Sequence, residues 1–146
     1  MSARGSAGGI ATPWLENLFS LVNYHAMQHW IFTKLRHFPI KNSLALFNIY
    51  VPVNYQEKRE CWTSLSEFLS VNSFSNIIVA GDLNIILDIK EKKGGVSRRD
   101  PMLHSVENII LMWDFMDFKL KKGRFTWKNN RSGLANVSSR LDRFLV

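Results

Sequence analysis

The stretch Asn76-Ile77-Ile78-Val79-Ala80 is a short, continuous apolar run that breaks abruptly at Gly81-Asp82-Leu83-Asn84. A run of this length with no alternation reads as a central strand covered on both sides, the kind that sits inside a sheet with crossover helices packed against it. Whatever surrounds it must therefore supply neighbouring strands and apolar cover, and the rest of the chain does. Leu44 to Val51 alternates, with Ala45, Phe47, Ile49 and Val51 all apolar and the other face turning from Leu44 and Leu46 to Asn48 and Tyr50, before Pro52 ends it. Leu18 to Tyr24 and Trp30 to Leu35 are rich in aromatic and branched residues and read as two more strands.

Two helices are legible between the strands. Asn54, with Glu57 three residues on, resembles a helix-start box, and Cys61, Trp62, Leu65, Phe68 and Leu69 follow the three-and-four spacing of one apolar helix face. Asp100-Pro101 opens the second, with Asp as cap and Pro at the first helical position, ahead of a stripe of Met102, Leu103, Val106, Ile109, Ile110 and Trp113. A charged loop runs from Lys90 to Arg99. Phe125-Thr126-Trp127 and Leu141 to Leu145 read as strands joined by a polar segment, Asn129 to Ser139. Strands interleaved with helices, no internal repeat and no linker indicate one α/β domain over residues 1–146.

Charge gives the first functional hint. Lys and Arg number 19 against 12 Asp and Glu, a net charge of +7, which favours polyanionic partners because each phosphate contact releases counterions. No apolar run reaches the roughly 20 residues of a membrane-spanning helix, so no membrane partner is expected. Nothing after Met1-Ser2-Ala3-Arg4-Gly5-Ser6 resembles the apolar core of a secretory signal. The single cysteine, Cys61, cannot form an internal disulfide and reads as a small apolar residue of a helix face.

Asp82 and Asn84 are the leading site candidates. In an extended backbone they would point to one side, about 6–7 Å apart, where a buried strand runs out into a loop. A carboxylate there can orient a water or meet a hard cation, and an amide can donate to a phosphate oxygen. The same four residues are also ordinary turn chemistry. Tyr50 and Asn48 lie on the non-core face of another strand, where a phenol could steady a developing oxyanion or merely pack its ring. Asp142, between Arg140 and Arg143, is either an ion-pair partner or part of a polar cluster. His25 and His29 have no third ligand nearby, which argues against zinc.

Taken in order, Phe47-Asn48-Ile49-Tyr50-Val51-Pro52, Gly81-Asp82-Leu83-Asn84, Phe125-Thr126-Trp127 and Arg140-Leu141-Asp142-Arg143-Phe144-Leu145-Val146 resemble the successive motifs of the endonuclease/exonuclease/phosphatase, or deoxyribonuclease-I-like, superfamily. Glu91-Lys92-Lys93-Gly94-Gly95, Arg99-Asp100-Pro101, Trp113-Asp114 and the glycine-rich Gly5-Ser6-Ala7-Gly8-Gly9-Ile10 are similar to segments of plant non-LTR retrotransposon endonucleases. The resemblance implies a four-layer α/β/β/α sandwich and a DNA-nicking phosphodiester hydrolase that uses Mg²⁺ or Mn²⁺, acts on double-stranded DNA and works in the nucleus. By matched position, Asp82 would orient the attacking water, Asn84 would contact the scissile phosphate, and Tyr50 would assist the phosphate or leaving oxygen. Asp142 would belong to the metal and histidine-orienting cluster. Asn48, Trp127, Asn129, Asn130, Arg131 and Arg140 would face DNA, with Asn129 to Ser139 as a hairpin near the nick.

The resemblance also implies a glutamate strand ahead of Gly5 and a Ser-Asp-His segment after Asp142, and neither is in this chain. The expectation is therefore an incomplete sandwich, at best feebly active alone and with strand edges and apolar faces left uncovered. Two readings stand: a hydrolase domain fragment, or a catalytically dead remnant that keeps nucleic-acid binding. A sugar- or lipid-phosphate phosphatase is a third, against which the retrotransposon-like segments argue.

Overall fold

A computed structural model describes residues 9–96, 98–119 and 121–146. Apart from Gly9, the glycine-rich stretch at residues 5–9 falls outside them. Three strands, β1 (Phe19–Ala26), β2 (Trp30–His37) and β3 (Ser43–Tyr50), run antiparallel to one another. Helix α1 (Tyr55–Val71) then crosses over to β4 (Ile77–Asp82), which pairs with β3 in parallel as the apolar run requires. Beyond β4 come β5 (Lys92–Lys93), helix α2 (Leu103–Met112), β6 (Asp117–Phe118), β7 (Trp127–Lys128), β8 (Ser138–Ser139) and β9 (Asp142–Leu145). The main sheet has six strands in the order β1-β2-β3-β4-β9-β6, and a second sheet has three in the order β5-β8-β7.

The alternation of β3 decides which face is core. Ala45, Phe47 and Ile49 are buried, and the cross-strand register sets Trp30, Phe32, Val79 and Leu145 on that same face. Both helices cover it. Cys61, Trp62, Leu65 and Leu69 of α1, with Leu103 and Val106 of α2, join one cluster with those strand residues, while Ile109, Ile110 and Trp113 pack at its margin. The ring of Phe68 sits 5.1 Å from Trp30 and 5.3 Å from Phe32, an arrangement of tilted aromatics that adds to the plain burial of apolar area. The opposite face carries the alternate residues, among them Asn48, Tyr50, Asp82, Asp142 and Phe144.

The helix starts follow their sequence signals with one displacement. The Asn54 side chain accepts from the backbone N–H groups of Gln56 at 2.9 Å and Glu57 at 3.2 Å, capping α1. Helix α2 begins at Leu103 rather than Pro101, because Pro101 and Met102 form a turn; Asp100 still accepts from the Met102 N–H at 2.8 Å.

Four further expectations are revised. The strand expected at Phe125-Thr126-Trp127 is only Trp127–Lys128. The charged loop from Lys90 contains β5 and a short 3-10 turn, Ile89–Glu91, and the polar segment to Ser139 ends in β8. Of the four layers, the described residues show one six-stranded mixed sheet with helices on one face, plus the small sheet. Among the described residues no helix is long and apolar enough to cross a membrane.

Candidate active site

Register assembles the site. Tyr50 is the Cα partner of Asp82 across the parallel β3–β4 pair, and Asp82 is the partner of Asp142 across the antiparallel β4–β9 pair. Three residues separated by tens of positions thus stand side by side on one face, at strand spacings of about 5 Å. Tyr50 and Asp142 are exposed and Asp82 is half-buried. Gly81 makes this possible: at φ +135° it brings β4 so close to β3 that an added Cβ would lie 2.0 Å from the Ile49 carbonyl oxygen.

Asn84 departs from the extended geometry expected of it. Its φ is +44°, a left-handed conformation that asparagine tolerates better than most residues. The chain turns tightly, with the Asn84 N–H donating to Asp82 Oδ1 at 2.9 Å. The Asn84 side chain donates through Nδ2 to the Val51 carbonyl at 2.6 Å, so one amide hydrogen is engaged in tying β4's end to β3's end. The turn thus fixes where the Asp82 carboxylate points.

Behind the turn lies Lys58, which sequence reasoning missed. It is 4% exposed, and its Nζ donates to the Asn84 carbonyl at 2.9 Å and to Asp100 Oδ2 at 2.6 Å. The signal was there, since Lys58 falls on the apolar stripe of α1 with Cys61, Trp62 and Leu65. Burial raises the Asp82 carboxyl above the ordinary aspartate value. The Asn84 N–H pulls it down, the Asp142 charge pushes it up, and the Lys58 ammonium pulls it down again.

The neighbouring arginines do something else. Arg143 is 1% exposed and Arg140 5%; both belong to the helix side of the sheet, away from Asp142. Arg140 spans Glu91 at 2.8 Å and Asp117 at 2.5 Å, and Arg143 holds Asp117 at 2.6 Å and pairs closely with Glu91. The four charges cancel in a buried cluster that joins β9, β6 and the turn before β5. Burial alone would raise Glu91, but hydrogen bonds and charge from Arg143, then Arg140 and the Asp88 N–H, hold it down at about 2. The hydrogen bond to Asp117 raises Arg140 against the opposing effect of its burial.

The expected DNA-facing residues divide accordingly. Arg140 is corrected: its guanidinium is committed to Glu91, Asp117 and the Phe118 carbonyl. Asn48 donates to the Ala11 carbonyl at 2.7 Å and to Thr12 Oγ1 at 3.3 Å, anchoring the segment before β1 across the sheet. Asn129 shapes the β7–β8 hairpin, donating to the Ala135 carbonyl and accepting from the Arg131 and Val137 N–H groups. Trp127, Asn130 and Arg131 are exposed, the latter two at the hairpin's end. His25 stacks on Phe68 at 5.3 Å, a packing role.

Chemically, two carboxylates beside a phenol can accept protons and orient a water, yet their charge repels a phosphodiester unless a cation intervenes. The described residues contain no group of three or more His, Cys, Asp or Glu side chains placed to hold a metal ion. Asp82 and Asp142 alone do not fit the ion that the resemblance implies.

No protein-family model matches this chain. No curated protein matches it by sequence. Solved structures do match in fold. The endonuclease domain of TRAS1, a telomere-specific non-LTR retrotransposon, superimposes with a TM-score of 0.66 at 14% identity, covering 87% of this chain and 55% of that one. TDP2 from D. rerio, complexed with a single-strand DNA product, gives 0.60 at 15% identity over 89% and 54%. The human Nocturnin catalytic domain, with bound sulfate anion, gives 0.52 at 14% over 90% and 49%. The chain thus spans about half the length of the structures it matches and shares part of the deoxyribonuclease-I-like fold with them.

Proposed function

We propose that this chain carries one side of a DNA-nicking phosphodiester hydrolase site of the non-LTR retrotransposon kind. One observation supports it above the others: the strand register sets Tyr50, Asp82 and Asp142 abreast on the sheet face opposite the helices. In this reading Asp82, held by the Asn84 N–H and backed by Lys58, orients the attacking water. Tyr50 faces the phosphate or the leaving oxygen, and the free amide hydrogen of Asn84 donates to the phosphate. The hairpin residues Trp127, Asn130 and Arg131 flank the duplex. Mg²⁺ or Mn²⁺ belongs to this reading, and the two-carboxylate donor set argues that this chain alone turns over slowly. A plant origin and a nuclear location are proposed with the DNA target.

A nicking assay on supercoiled plasmid with Mg²⁺ or Mn²⁺ tests the reading. The expected result is slow nicking that Asp82→Ala removes. Nicking that survives Asp82→Ala overturns the site. The donor count also favours a second reading, a DNA-binding remnant without catalysis; salt-sensitive duplex binding with no cleavage by the unaltered chain selects it.

A further inference from the structure

Away from the carboxylates, a cleft of about 390 Å³ opens beside the small sheet, with Lys90, Lys119 and Arg124 around it and the Arg140–Glu91 pair and Asp88 among its walls. We propose that this cleft is a second phosphate-binding subsite, one that grips a backbone phosphate of duplex DNA independently of any cleavage.

The charge pattern carries the inference. Arg140 and Glu91 are neutralised within their buried cluster with Asp117 and Arg143, so the inner wall is polar but uncharged as a whole. The mouth is not. Lys90, Lys119 and Arg124 are exposed, and among the described residues none of the three takes part in an ion pair. Against them stands only Asp88, one of whose oxygens already accepts from the Lys90 N–H at 2.8 Å. Arg124 lies over the Phe125 ring at 5.9 Å, which orients its planar guanidinium.

Three unpaired cations converging on one concavity form an anion site by Coulomb focusing, and the surroundings suit a polymer rather than a small ion. Residues 90–131 hold 11 of the chain's 19 basic residues against 5 acidic ones, of which Glu91 and Asp117 are consumed by arginine pairs. Arg140, in the cleft wall, is two residues from Asp142, at most about 7 Å of chain. The subsite does not depend on the hydrolase reading, because binding needs neither Asp82 nor a metal.

The test is the salt dependence of duplex binding, followed by fluorescence anisotropy of a labelled oligonucleotide duplex. The triple variant Lys90→Gln/Lys119→Gln/Arg124→Gln is compared with Arg36→Gln/Lys41→Gln/Arg59→Gln, which removes the same charge from exposed positions elsewhere. The cleft variant should lower the magnitude of the slope of log Kobs against log salt by about 2–3, as loss of two or three phosphate contacts requires, and the control by less than about 1. Equal losses in the two variants overturn the proposal in favour of diffuse attraction. Inorganic phosphate shifting the cleft resonances by NMR while both variants keep the full duplex slope also overturns it, in favour of a small phosphorylated ligand. Cleavage results bear only on the hydrolase reading.

Discussion

The buried charge cluster makes the sharpest demand on the fold. Glu91→Gln removes one of two negative charges that compensate Arg140 and Arg143, leaving the fully buried Arg143 side chain with Asp117 as its only carboxylate partner. Removing one member of a buried pair costs about 3–5 kcal/mol, since the remaining charge stays desolvated. Against a total stability of about 5–15 kcal/mol for a domain, the loss is large. The same residue sets a pH signature. Its carboxyl is held at about 2 against an ordinary 4.5, so the folded state favours the ionised form. The corresponding stability is present above pH 4.5 and is lost as pH falls from 4.5 through 2. Urea unfolding at pH 7 should show a lower midpoint with an unchanged slope for Glu91→Gln. Repeated toward pH 3, the unaltered chain should converge on the variant. Combining Glu91→Met with Arg143→Met should restore part of the loss, because an apolar pair leaves no orphaned charge. A change below about 1 kcal/mol at pH 7, or parallel acid profiles, would refute the reasoning.

Other outcomes follow from single contacts. Gly81→Ala should destabilise by at least about 2–3 kcal/mol, because its Cβ would strike the Ile49 carbonyl at a backbone conformation that alanine rarely adopts; a thermal melt checks it, and an unchanged Tm contradicts the close approach. Lys58→Met should cost about 2–3 kcal/mol, with Asp100 left partly buried and the Asn84 carbonyl without its donor. The Asn84 amide should then exchange with solvent faster, and undiminished protection would show that Lys58 does not hold the turn. Burial pushes the Cys61 thiol up to about 12, so alkylation at pH 8 should wait on unfolding; labelling of the folded chain at a free-thiol rate contradicts that packing.

Much of this architecture is legible in local pattern. Ala45, Phe47, Ile49 and Val51 announce a one-sided core by alternation, and all four are buried. The α1 stripe and its Asn54 cap likewise follow from spacing and short-range hydrogen bonding. What local pattern cannot carry is partnership across the chain. The small sheet is made of two-residue strands, too short for any period to show. The Glu91, Asp117, Arg140 and Arg143 cluster joins residues 23 to 52 positions apart, so Arg140 reads as a free cation until its partners are placed. Asn84 illustrates a subtler failure. Gly-Asp-Leu-Asn allows both an extended strand end and a turn, and the Val51 carbonyl, reached only through the β3–β4 pairing, settles the backbone in favour of the turn. The abreast placement of Tyr50, Asp82 and Asp142 needed the register of two strand pairs, which ordered motifs suggest but cannot specify.

The role proposed for the register-built face of Tyr50, Asp82 and Asp142 is to handle a phosphodiester. The most direct measurement is the single-turnover nicking rate of Asp82→Asn, a near-isosteric change that keeps the turn's acceptor, beside its duplex affinity. The expected rate is lower by about 10²–10⁴, the usual share of a positioned acid–base group, with affinity unchanged within about twofold. A rate equal to that of the unaltered chain at equal affinity would contradict it.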